Sequence, residues 1–172
     1  MLQNYDYSLR NSDIRAMKYR MLSEEELGHL EDELKQFLIV NGVDGETWAK
    51  INEEAPIRAT ELVGLFSDTV LQRIYEKLHY LEFRSTDSCM LFYIGQSEVH
   101  LISITPKAGV QVDLSSPESI HKTLLEQAHD LSYFETSKPF KSSREEEVHE
   151  LIEQGCVVST QSFWDAICSV IR

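Results

Sequence analysis

An α+β fold is what this sequence predicts: a small antiparallel β-meander over about residues 80–114, packed with helices from both flanks. Two observations carry that reading. Between residues 80 and 114 the chain reads YLEFRS, CMLFYIG, EVHLISIT and VQVDL, apolar and β-branched runs broken by short turn segments, as strands are. On either side, apolar residues recur at helical spacing behind recognisable caps.

Residues 1–16 are polar, with Tyr5 and Tyr7 as their only aromatics, and are expected to form a flexible leader to a single domain over residues 17–172. Ser23 and Glu26 make a capping box, in which each side chain satisfies the other residue's backbone N–H. Behind it, Leu27, Leu30, Leu34, Phe37 and Leu38 fall on one helical face. Asn41-Gly42 is the expected stop. Asp44 caps a short helix carrying Trp48 and Ile51, and Pro56 opens a longer one. The stripe of that longer helix is Ala59, Leu62, Val63, Phe66, Val70, Ile74 and Leu78.

In the meander, Leu81 and Phe83 alternate with Glu82 and Arg84, the pattern of a half-buried strand. The run Cys89 to Ile94 is apolar on both faces and should be the most enclosed. Val99 and Leu101 lead a third strand, which Pro106 ends. Val110, Val112 and Leu114 alternate with Gln111 and Asp113, which predicts an edge strand with one wet face. Ser116-Pro117 then opens a helix bearing Ile120, Leu124, Ala128 and Leu131. Residues 135–142 read as a loop. Ser143 and Glu146 form a second capping box for a helix ending at Gly155. Ser159 or Thr160 caps a last helix with Phe163, Trp164, Ile167, Val170 and Ile171 on one side.

Composition narrows the function. Sixteen Lys and Arg against twenty-nine Asp and Glu give a formal charge of -13, a field that repels nucleic-acid phosphates and suits a basic protein partner. No run approaches the roughly 20 apolar residues of a membrane-spanning helix, and no secretory h-region opens the chain. The three cysteines form no CxxC pair, which fits a reducing cytoplasm.

The blocks MKYRMLSEEEL (17–27), FLIVNGVDGETW (37–48) and LVGLFSDTVLQRIYEKLHYLEFRS (62–85) together resemble a family of small acidic bacterial proteins of unknown function, found mainly in Bacteroidetes-type bacteria. The likeness spans about residues 17–105, and the leader before Met17 departs from it. It implies a bacterial cytosolic protein. It brings no known activity and no functional residue.

Histidine spacing is the most unusual local feature. Glu26/His29, Glu76/His79, Glu118/His121, Glu126/His129 and Glu146/His149 all lie three apart, and such pairs ligate metal from the helices of di-iron bundles. At about 100° per residue, however, His29, His79 and His129 point away from their apolar stripes. Only Glu118/His121 and Glu146/His149 border a core, and they remain the metal candidates, for zinc or iron. The competing reading is that Glu-rich helices carry such pairs on their surfaces.

A triad of Cys156, His149 and Asp165 can also be drawn, with Cys156 ahead of a helix N-terminus that would lower its pKa. A small buried residue in an apolar run is the alternative. No phosphate loop, nucleophile elbow or cofactor fingerprint is present. Trp48 and Trp164 read as core, and the glutamate runs at 24–26, 31–33 and 145–147 as solvated helix surface. No cofactor and no catalytic residue is assigned. Three classes of function follow: a non-catalytic binding or regulatory domain contacting a macromolecule through an acidic helical surface, a metal-binding protein using Glu/His pairs, and a self-associating structural subunit.

Overall fold

The structure, a computed structural model, describes residues 17–171; the leader expected at residues 1–16 lies outside them. The chain divides into one compact unit up to Arg73 and a second from Ile74.

Caps place the helices of the first unit. Helix α1 (Glu24–His29) starts on the Ser23/Glu26 capping box. The stripe expected on one helix is split, because the chain breaks at Leu30 (φ -111°) before α2 (Glu31–Val40). Gly28, a weak helix former, precedes the break. Gly42 at φ +77° ends α2, with the Val43 amide donating to Leu38 O at 2.8 Å, the six-to-one bond of a Schellman stop. Asp44 caps α3 (Gly45–Glu54) through the Thr47 amide. Helix α4 (Pro56–Tyr75) follows, and its last two residues open the second unit. Its buried hydrophobic residues include Ala59, Val63, Phe66, Leu71 and Tyr75, whereas Ile74, expected inside, is exposed. Ahead of α1, the Asp68 carboxylate accepts from the amides of Lys18 and Tyr19, and the Ser67 hydroxyl accepts from that of Leu22.

The second unit is built on a five-stranded antiparallel sheet ordered β4-β3-β2-β1-β5. Its strands are β1 (Tyr80–Arg84), β2 (Cys89–Ile94), β3 (Glu98–Pro106), β4 (Leu131–Pro139) and β5 (Val157–Val158). The first three form the expected meander, and β2 is central and most enclosed. The fourth strand is not where alternation placed it. Among the described residues, 110–114 pair with no strand; the Val110 amide donates to Lys107 O at 3.1 Å and the Leu114 amide to Thr86 O at 3.0 Å. Leu114 is nevertheless 0% exposed and Val112 packs beside it. The alternation reports burial of one side of an extended segment, and the ladder is absent.

Residues read as the end of a helix and a loop instead form β4. Helix α5 (Pro117–Gln127) ends before a 3₁₀ turn at Ala128–Asp130, and β4 then pairs along all of β3, from Pro106↔Leu131 to Glu98↔Pro139. Pairing with β3 outweighs the weak strand propensity of Thr-Ser-Lys-Pro. Helix α6 (Arg144–Glu153) begins on the second capping box and ends at Gly155, φ +96°. Helix α7 (Gln161–Ile171) begins where the Phe163 amide donates to the Thr160 hydroxyl. One sheet face, carrying Cys89, Leu91, Ile102 and Ile104, packs against Leu114, Ile120 of α5 and Ile167 of α7.

Candidate functional site

Several charged residues near this sheet hold it together. Glu82, expected on a wet face, is 5% exposed. It pairs with Arg84 and accepts from the Ser159 hydroxyl at 2.7 Å. The Arg84 guanidinium lies 5.4 Å from the Phe163 ring centre, and its Nε is buried without a hydrogen-bond partner among the described residues. The α6 glutamates are also used internally. Glu146 closes the capping box, and the Glu147 carboxylate, 3% exposed, accepts from the Lys141 amide at 2.7 Å. The reading of 145–147 as solvated surface is therefore corrected at Glu147, which is buried to satisfy the chain between β4 and α6.

The proposed metal residues do not converge. Glu118 and His121 are exposed on α5, so His121 does not border the core. Glu146 is spent on the cap. His149 is half-buried, its Nδ1 hydrogen-bonded to the Tyr75 hydroxyl at 3.1 Å. Among the described residues, no three His, Cys, Asp or Glu side chains group as a metal site. The Cys156 thiol is pushed up to about 11 by burial, the opposite of an activated nucleophile. It lies past the C-terminus of α6, its amide bonded to Leu151 O at 3.0 Å, with β5 between it and α7. Asp165 is exposed on α7. Burial likewise pushes Cys89 up to about 12.

What the fold leaves open is the outer edge of β4. Among the described residues this strand pairs on one side only. Lys107 N donates to Asp130 O, and Phe140 N donates to Ser97 O. These bonds fix the ladder's phase: even-numbered residues of β4 bond to β3, while the N–H and C=O groups of Tyr133, Glu135 and Ser137 point outward. Phe134, on the face opposite the main core, is 61% exposed. Beside the edge an open groove of about 330 Å³ runs between β3, β4 and α7, lined by His100, Ile102, Glu135, Ser137, Trp164 and Cys168. Trp164, expected in the core, is half-buried and forms one wall; it tilts against Tyr80 and Tyr93. The His100 ring stacks on Tyr93 at 5.5 Å, with its Nε2 3.3 Å from a Glu98 oxygen. An apolar wall, polar lips and outward amides suit a side chain followed by extended backbone.

Residues 135–142, which composition alone marks as a loop, supply this site through their β4 portion, 135–139. The Leu131, Tyr133 alternation was the available signal.

Fold and edge define a small α+β protein with an open-edged antiparallel sheet. Residues 17–172 match a family of unknown function (DUF6495), and the chain belongs to that family. No curated protein and no solved structure matches it. No helix among the described residues is long and apolar enough to cross a membrane.

Proposed function

We propose that this chain is a non-catalytic protein-binding domain that takes an extended segment along the outer edge of β4, with a side chain seated in the adjoining groove. The supporting observation is a nine-residue strand with a bare edge and three outward amides. Main-chain hydrogen bonds supply affinity in this mode, and alternate side chains supply selectivity. The acidic helical surface is a second reading. It rests on the first unit, where Glu24, Glu25, Asp32 and Glu33 are exposed at helix starts; Glu146 and Glu147 are already engaged. Salt separates the two modes, because charge steering fades within a Debye length of about 10 Å at 0.1 M.

A photo-crosslinking side chain at Ser137 in cells making the full chain tests the edge. Expected are defined adducts that disappear when Glu135→Pro is added, since proline removes an outward N–H and spares the bonds to β3. No adduct, or adducts indifferent to the proline, refutes the reading.

A further inference from the structure

We infer that the segment taken by β4 is β4 of a second copy of this chain, so that two five-stranded sheets join across a two-fold axis. This rests on the edge-binding reading above and names its occupant.

The ladder's phase restricts the possible registers. Outward groups belong to odd-numbered residues, so an antiparallel β4–β4′ pair must set odd residues opposite odd ones. Centring on Glu135 puts two carboxylates face to face. Centring on Thr136 puts exposed Phe134 opposite Lys138 and sets Pro139, which has no N–H, at a bonding position across Tyr133.

Centring on Phe134 removes both faults. Phe134 then meets its own symmetry mate at a non-hydrogen-bonded position, where side chains approach most closely. Ser132 falls opposite Thr136. Asp130 falls opposite Lys138, opposite charges at both ends of the pairing. The amides of Tyr133, Glu135 and Ser137 all find carbonyls, and Pro139 falls outside the bonded stretch. The most exposed aromatic of the sheet is thereby covered, Asp130 and Lys138 meet opposite charges, and Glu135 falls opposite Tyr133, clear of its own symmetry mate. Strand pairing of this length is a small interface, so dissociation is expected on the order of 1–100 μM. Each copy carries -13, and the repulsion between copies weakens the pair further at low salt.

Sedimentation equilibrium of the purified full chain in 0.3 M salt tests this. A dimer is expected, with Glu135→Pro weakening it about ten- to a hundredfold through one lost backbone bond per copy and leaving the melting temperature within a few degrees. Phe134→Cys reports register without relying on the proline variant. It should form an interchain disulfide on mild oxidation, while Thr136→Cys should not. A chain monomeric at about 200 μM overturns the inference, as does a dimer indifferent to both substitutions or one cross-linked through Thr136→Cys. The Ser137 probe separates the two levels. A self-adduct supports both, an adduct only to another protein overturns the dimer and keeps the edge reading, and no adduct overturns both.

Discussion

Arg144 joins three separate stretches of the second unit through one side chain. Its Nη1 donates to Tyr75 O at 3.0 Å, its Nη2 to Leu78 O at 2.5 Å, and its Nε to Gly95 O at 3.3 Å. One guanidinium thus ties the end of α4, the approach to β1 and the β2–β3 turn to the start of α6. The side chain is 13% exposed, so water replaces these bonds poorly. Hydrogen bonds to a charged group contribute about 1.5–3 kcal/mol each, and three on one group are not additive. Arg144→Ala is therefore expected to destabilise this unit by about 3–4 kcal/mol. Lys cannot fork, so Arg144→Lys should recover about half of that loss at most. The neighbouring Glu145 carboxylate is 3.6 Å away, beyond hydrogen-bonding distance, and Glu145→Gln should therefore cost less than the loss of Arg144. Urea denaturation in a Trp48→Phe background, followed by Trp164 fluorescence, reads the second unit alone. A loss under about 1 kcal/mol for Arg144→Ala, or full recovery by Lys, would refute the clamp.

Three further outcomes follow. The Arg20 guanidinium beside Glu26, with the Ser23 amide, holds that carboxyl at about 2, below its ordinary 4.5; the pair's stabilisation is thus present above pH 4.5 and lost as pH falls toward 2. Both groups are more than a third exposed, so the stability gap between wild type and Arg20→Gln should be about 1 kcal/mol at pH 6 and vanish near pH 2, by denaturation at each pH. Thiol labelling at pH 8 should modify half-buried Cys168 first, with Cys89 and Cys156 protected until unfolding by burial and raised pKa; equal rates in the native protein would contradict their placement. Leu114→Ala should cost about 2–5 kcal/mol despite its position outside any strand, and an unchanged urea midpoint would show that the 110–114 segment is dispensable.

Signals closed within a few residues were legible in the sequence. The capping boxes at Ser23 and Ser143, the Asp44 cap, and the stops at Gly42 and Gly155 fall where local hydrogen-bonding chemistry places them. The strands from Tyr80 to Pro106 were legible because hairpin partners are near in sequence. The edge was not, because β4 is defined by what it pairs with. Ser-Lys-Pro is a poor strand in isolation, and only the β3 ladder makes it one. Val110, Val112 and Leu114 misled for the converse reason: period-two burial requires an extended backbone and does not require a neighbour. Glu82 and Glu147 were placed outside because charge predicts exposure unless a partner is available. Glu82 is enclosed by Ser159, far along the chain, besides its neighbour Arg84, and Glu147 turns inward to the Lys141 amide of the preceding connection; helical or strand periodicity reveals neither. For the candidate site this means that Trp164 is legible in the sequence as a large apolar residue, while its place as a groove wall depends on β4.

The two-residue strand β5 has a consequence for the protein's synthesis. Val157 and Val158 cover the outer edge of β1 by pairing with Glu82 and Leu81, far back in the chain. The β1–β2–β3 ladders use no residue beyond Pro106, so their hairpins can begin to pair before the segments that cover their apolar face are made. The edge of β1 must then wait for α5, β4 and α6 to be made before its cover arrives, and such distant closures are slow. Throughout that interval a formed hairpin sheet presents bare amides along Tyr80–Arg84, a template for neighbouring nascent chains. Translation that stalls between Pro106 and Val157 therefore yields a product exposed to misassembly at β1, on the opposite side of the sheet from β4.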